Sequence, residues 1–341
     1  MLKASAKSIL LRSIAVINKL IHSSQNKNII IGLHRIIDVP PANSQDFSVM
    51  RNFRISTDFF RSLLMLLKSE CNIVTVQEML SNIKTGEKKP MAAITFDDGF
   101  VDCYKTAFPI LKYMKVPAGV YLNPSFIDNP RLPREYLLES CLKNFSGKLQ
   151  VDTRKKKLSF VIARNTDRYK TFISLMSLLS ESDNDQINYI ITQVCDQSGF
   201  SNDTDYATPL FLAWDMAREM LASGLIYFGN HGLNHLPLGS LSQQELKTEI
   251  LGSHKRIKKE LAIEPVGFSF PYGRKTHYNR IAIKILKDNG YTYALTTQNR
   301  SITKNQDPFT LPRIHIDESE GLSGYRARQS MLFRIADFSS L

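Results

Sequence analysis

Short apolar runs rich in β-branched and aromatic residues alternate with stretches of helical period along most of this chain, and that alternation restricts its fold more than any other feature. Runs of strand type lie at Ile29–Leu33, Ile73–Val76, Ala92–Phe96, Ala118–Leu122, Leu225–Phe228, Val266–Phe270, Tyr291–Leu295 and Arg313–Ile316. Helical patterns separate them. One starts at the capping pair Thr57-Asp58 and runs to Lys68; a second covers Val76–Lys84 and stops at Gly86; a third covers Cys103–Met114. The second half adds Ala213–Ser223, Ser242–Leu261 and Tyr278–Asn289, and a short helix is expected near Tyr325–Arg334. Such an order demands parallel strands, because a parallel neighbour is reached only through a long crossover. About eight βα units close as a barrel of TIM type. The competing architecture is an open doubly wound sheet, but no G-x-G-x-x-G follows the first strand.

Two regions depart from the alternation. Residues 130–210 carry Lys155-Lys156-Lys157 and helical periodicity at Tyr169–Leu179 and Ile187–Val194. They read as a helical insertion on a barrel loop, which either shapes access to a site or only adds packing. In residues 1–28, Lys3, Lys7, Arg12 and Lys19 interrupt the apolar residues, so no signal-type apolar stretch forms. At helical period Ile9, Ile14, Ile17 and Ile21 gather on one face. This fits a basic amphipathic helix on an anionic membrane surface, a helix packed on the body, or a frayed tail.

Composition narrows the classes further. Hydrophobic residues make up 43% and aromatics 10% of the 341 residues, which excludes disorder as the main state. No stretch reaches the roughly 18 apolar residues of a spanning helix. The 44 basic against 32 acidic residues give a net charge of +12, which suggests an anionic partner. Nucleic acid is not the expected one, since helix-turn-helix, zinc-finger and RNP patterns are absent. Cys71, Cys103, Cys141 and Cys195 are scattered, which fits a reducing compartment.

The chemistry collects at strand ends. Asp97 and Asp98 follow the strand Ala92–Phe96, and Gly99 lets the chain turn. Adjacent carboxylates packed at a strand end require a cation or a proton to hold them. His231 and His235, four apart, follow another strand and can face one ion. With Asp98 they form a two-histidine, one-carboxylate set that leaves positions open for water and substrate. Pro271-Tyr272-Gly273-Arg274, His34 and His315 lie at or near three further strand ends. Parallel barrels build active sites at the C-terminal ends of their strands, so this distribution points to one site.

Together these residues resemble the polysaccharide deacetylase family, metal-dependent carbohydrate esterases with a NodB homology domain. Thr95-Phe96-Asp97-Asp98-Gly99 is similar to its first motif, His231…His235 to its second, and Pro271-Tyr272-Gly273 to its third. Gly-Leu-His-Arg at Gly32–Arg35 looks like the start of the circularly permuted branch that includes the biofilm poly-N-acetylglucosamine deacetylases. The resemblance implies a deformed (β/α)7-8 barrel of NodB type over 29–320, with the insertion outside the shared core and a tail at 321–341. It also implies a divalent ion, most often zinc, and hydrolysis of an N-acetyl group on an amino sugar. Asp98, His231 and His235 would be the metal ligands and Asp97 the base. The backbone N–H of Tyr272 would serve the oxyanion, and His34, with His315 as the alternative, would be the general acid.

Three departures from the family pattern stand out. Gly232 replaces the Ser or Thr of the second motif, Ser269 stands where the third motif has its Arg, and the only Trp, Trp214, lies outside any Trp motif. Arg274 or Arg313 is the candidate replacement for that Arg. The expected substrate is an N-acetylated glycan or a lipid-linked or nucleotide-linked sugar precursor. The expected place is the cytoplasm, peripheral on the inner membrane face. The rival functions are cleavage of an O-acetyl ester or a formamide on a lipid-linked sugar, and carbohydrate binding by a dead homologue.

Overall fold

A computed structural model describes residues 28–38, 47–86, 89–200, 210–303 and 305–322. The expected amphipathic segment 1–28, apart from Asn28, and the helix near Tyr325–Arg334 lie outside the described residues.

β1 (Ile29–Leu33) leads into a small parallel pair, β2 (Arg35–Ile36) and β3 (Arg54–Ile55). β4 (Asn72–Ile73), β5 (Met91–Phe96) and β6 (Ala118–Leu122) follow. β7 (Gly147–Asp152) and β8 (Lys157–Ile162) form an antiparallel hairpin. β9 (Ile226–Asn230), β10 (Gly267–Ser269), β11 (Tyr293–Leu295) and β12 (Ile314–His315) complete the set. The main sheet has the order β11-β10-β9-β6-β5-β1-β12, with β4 against the start of β5, and its pairings are all parallel. A parallel bridge between Leu295 and Leu311 ties β11 to the approach of β12 and spans the remaining gap of the barrel.

Every residue of β1 and β5 is buried, as expected of strands covered on both faces. Tyr121 and Tyr293 fill the interior, hydroxyl to hydroxyl at 2.9 Å. They fit because Gly229 and Gly267 face them: a Cβ there would fall 2.5 Å from the Tyr121 ring and 2.3 Å from that of Tyr293.

Local chemistry sets the helix limits. Thr75 and Glu78 form a capping box that starts the helix at Val76, so the strand expected over Ile73–Val76 is confined to Asn72–Ile73. The expected helices Cys103–Met114 and Ser242–Leu261 are each interrupted by a π turn, at Cys103–Ala107 and Thr248–Gly252. The second π turn carries the buried Glu249, which braces the site described below.

The insertion differs from the helical reading. The helices Arg134–Lys143, Asn165–Ser180 and Asn184–Ser198 are joined by the β7–β8 hairpin, and Lys155-Lys156-Lys157 sits at the hairpin's turn. Its core (Leu138, Leu149, Phe172, Ile187) belongs to the same apolar cluster as Phe100, Phe211, Leu236 and Phe268 at the strand ends of the barrel. The four cysteines are free, with the Sγ atoms of Cys141 and Cys195 3.6 Å apart within the insertion.

Candidate metal centre and active site

Asp97 and Asp98 emerge from the C-terminal end of β5, His231 from that of β9, and both segments are pinned to their neighbours. The Asp97 N–H donates to the Leu33 carbonyl at 3.0 Å, and the His231 N–H to that of Leu122 at 2.9 Å. Asp98, His231 and His235 are buried, and their ligand atoms lie within 4.8 Å of one another. Asp98 Oδ1 is 3.4 Å from His231 Nε2 and 3.5 Å from His235 Nε2. Ligands bound at ~2.0–2.1 Å around a tetrahedral ion stand about 3.3 Å apart, so these spacings suit a shared cation.

Hydrogen bonding tests the fit independently. His231 Nδ1 is 2.7 Å from the Ser269 carbonyl, which can only accept, so Nδ1 carries a proton and Nε2 is the nitrogen turned toward Asp98. Asp98 Oδ1 is buried and accepts no hydrogen bond. An imidazole nitrogen and a buried anionic oxygen therefore face each other beyond ordinary hydrogen-bond distance, an arrangement that positive charge between them would stabilise. Burial pushes the His235 imidazole down to about 4, against the pull of Asp98, which keeps it neutral as a ligand must be. Burial also lowers His231, but Asp97 and Asp98 outweigh it and carry that imidazole above its ordinary value. The centre thus calls for positive charge.

Asp97 has its own counterion. Arg313, fully buried, donates from both terminal nitrogens to the two carboxylate oxygens, at 2.9 and 2.6 Å, and from Nε to the Thr296 carbonyl at 3.1 Å. Burial alone would raise the Asp97 pKa; Arg313, helped by His231, instead holds it well below the usual carboxylate range. Asp97 is thus an oriented anion 3.9 Å from His231 Nε2. Of the two candidate arginines, Arg313 meets Asp97, whereas Arg274 is exposed. Ser269, at the position where the third-motif Arg was expected, instead orients His231 through its carbonyl.

The backbone at the centre is constrained. Asp98, His235 and Tyr272 adopt φ of 71°, 55° and 59°, left-handed values that a side chain reaches at a cost of ~1–3 kcal/mol each. Polar side chains hold the His loop in this shape. Glu249 accepts from the N–H groups of Leu233 (3.1 Å) and Asn234 (2.9 Å) and from the Asn234 amide (2.7 Å). The Asn123 amide donates to the carbonyls of His231 (2.5 Å) and Gly232 (3.0 Å). Gly232 has φ +81°, and a Cβ on it would lie 3.3 Å from Glu249 Oε2. Glu249 and Asn123 thus brace a loop that has glycine at position 232.

The remaining candidates surround this centre. The Tyr272 ring is 4.7 Å from that of His235. Among the described residues the Tyr272 N–H donates to no backbone acceptor. His34 interacts electrostatically with Asp98, Asp97 and His231, and burial lowers its pKa against the pull of the two carboxylates. Its ring stacks on His315 at 6.2 Å and meets Phe53 edge-on at 5.0 Å. Trp214 is elsewhere, donating from its indole to Asp128 at 2.8 Å on the outer helices.

Glu135 escaped the reading of the sequence. This buried carboxylate from the insertion is 3.7 Å from His235 Nδ1 and accepts from the Tyr272 hydroxyl at 3.3 Å. Burial and Asp98 push it up to about 7. Arg134 beside it donates to the Asn234 carbonyl at 3.1 Å. Neither residue lies in a motif or near the Asp or His pair in sequence, so only the packed insertion brings them to the site.

Comparison with known proteins agrees with this geometry. The family model described as polysaccharide deacetylase matches residues 152–294, which include the His pair and Pro271-Tyr272-Gly273. The poly-beta-1,6-N-acetyl-D-glucosamine N-deacetylase of Staphylococcus epidermidis is 22% identical over 312 residues, covering 87% of this chain and 81% of that one. YxkH of Bacillus subtilis, named for the same family, is 28% identical over 113 residues, 33% of this chain and 38% of its own length. Among solved structures, the Streptococcus pyogenes deacetylase PplD in complex with acetate superposes with a TM-score of 0.55 at 18% identity, over 86% of this chain and 94% of that one. IcaB from Ammonifex degensii gives 0.52 at 15% identity, over 89% and 98%. These likenesses establish a shared fold. Taken with the family match over residues 152–294 and the strand-end motifs, they identify a polysaccharide deacetylase domain in this chain.

Proposed function

We propose that this chain is a zinc-dependent hydrolase that removes N-acetyl groups from an amino-sugar polysaccharide. One observation carries the reading: Asp98, His231 and His235 converge as a metal set beside Asp97, a carboxylate held ionised and oriented by Arg313. Two imidazoles and one carboxylate form a donor set suited to zinc with positions left open. A divalent cation bound there supplies Lewis acidity toward a carbonyl oxygen and lowers the pKa of water.

This chain's own residues do the rest. Asp97 takes the proton from the attacking water. The Tyr272 N–H donates to the oxygen on which negative charge develops. His34, under the electrostatic pull of both carboxylates and stacked on His315, gives a proton to the leaving amine. Acetate and a free amino sugar result. The substrate class follows the poly-N-acetylglucosamine deacetylase that aligns over most of the chain.

The test is acetate release from N-acetylglucosamine oligosaccharides by the chelator-stripped protein and by the same protein restored with zinc. Release should depend on zinc. Release of formate, or of acetate from O-acetyl esters only, would move the reaction to another bond.

A further inference from the structure

Beside the His loop, the insertion and the barrel form a half-open pocket of about 360 Å³, lined in part by Phe126, Arg131, Arg134, Asn184, Asn188 and Asn234. Asn234 immediately precedes His235, and the Phe126 ring is 6.4 Å from the His235 ring, so the cavity adjoins the metal centre. Its volume falls in the range of small-molecule pockets (~300–1,000 Å³).

The two arginines carry the argument. Arg35, Arg256 and Arg313 each face a carboxylate. Arg131 and Arg134, both half-buried, form no ion pair among the described residues. Arg131 donates only to neutral oxygens, Ser125 Oγ at 3.3 Å and Asn234 Oδ1 at 3.2 Å. Arg134 does the same, to the Asn234 carbonyl at 3.1 Å and Asn184 Oδ1 at 3.4 Å. Each guanidinium has five N–H donors, so most of them remain unspent. Burial and the neighbouring Arg134 both make the Arg131 cation harder to keep, with Glu249 offsetting part of that cost. Glu249 cannot serve as their partner in the cavity, since its oxygens are taken by the N–H groups of Leu233 and Asn234 and by the Asn234 amide. Two partly desolvated cations held together over an opening are stabilised by an oxyanion that enters it.

We infer that this cavity is a subsite for an oxyanion carried by the glycan, a carboxylate or phosphate on the sugar flanking the one that loses its acetyl group. The asparagine amides Asn184 and Asn188 are placed to meet sugar hydroxyls. The inference rests on the deacetylase reading above and adds the charge of the substrate to it.

The test compares a hyaluronan tetrasaccharide, which alternates glucuronate and N-acetylglucosamine, with its carboxyl-reduced, uncharged counterpart. Binding to the zinc-loaded full chain is measured by calorimetry at low salt. The charged form should bind about tenfold tighter, the scale of one charge-assisted hydrogen bond. Arg131→Gln should abolish that ratio, and Arg131→Lys should retain part of it. Arg134 holds the backbone of the His loop, whereas Arg131 meets only the Asn234 side chain there, so Arg131 carries the test, with melting temperatures and zinc content confirming that its variants keep the fold and the loop. Equal affinity for the two forms in the wild type, or an unchanged ratio in Arg131→Gln, overturns the subsite. Acetate release from the uncharged form is scored separately. Release without a charge preference sinks the subsite and leaves the deacetylase, whereas a charge preference without release does the reverse.

Discussion

Met91–Phe96 in the barrel is buried at every position, whereas Lys157–Ile162 in the insertion alternates exposed and half-buried residues until the buried Ile162. The two strands are held in different ways. The barrel strand is paired on both sides by backbone. The hairpin leaves an edge, which side chains of the Asn184–Ser198 helix cover. Gln197 accepts from the Gln150 N–H (2.9 Å) and donates to its carbonyl (2.6 Å), and Gln193 does the same with Asp152 at 2.7 and 3.0 Å. Gln186 accepts from the Arg154 N–H at 3.1 Å. Three glutamines on one helix thus stand in for a missing strand and block edge-to-edge association. The barrel fixes the two aspartates and the histidine pair, while the insertion is a self-capped module that reaches them through Arg134 and Glu135.

That division can be broken at graded points. Asp97→Asn should lower kcat by a factor of about 10³ or more while bound zinc, read by elemental analysis, stays stoichiometric. Loss of zinc in this variant would mean that base and ligand are not separate roles. Arg313→Met strands a buried carboxylate and should cost about 3–5 kcal/mol in denaturant unfolding, part of it returned when Asp97→Asn is added. A cost under about 1 kcal/mol would show that the pair does not matter to the barrel.

Glu135→Gln probes the insertion's reach. Zinc affinity, read by chelator competition, should fall about 10–100-fold, as for other carboxylates behind a ligating histidine. Unchanged affinity would confine the insertion to substrate contact. The smallest effect belongs to Gln193→Ala, which exposes the hairpin edge. It should cost about 1–2 kcal/mol of stability with zinc affinity unmoved. A joint loss would show that the hairpin and the metal loop are coupled.

The residues legible in the sequence were those whose signal is local. Asp97-Asp98 and His231…His235 stand on short segments whose spacing points to a metal set, and β1 and β5, apolar but for Thr95, point to a covered parallel sheet. Glu135, Glu249 and Asn123 carry no such mark, because each acts on a loop distant in sequence. Arg313 was nameable as a candidate, but its partner emerges only when the strand β12 comes beside β1. The hairpin was missed for the opposite reason. Its strands face solvent on one side and carry lysines, so their apolar signal is weaker than that of the flanking helices.

The clamp on Asp97 also sets an order of maturation. Its two partners are 216 positions apart in the chain, so the carboxylate leaves the ribosome long before its guanidinium does. Enclosing that charge without a counterion costs several kcal/mol. The growing polypeptide therefore gains by keeping this end of the sheet open to water until Arg313 has been made. A chain cut short before that residue would keep Asp98, His231 and His235 but leave Asp97 without the guanidinium that orients it.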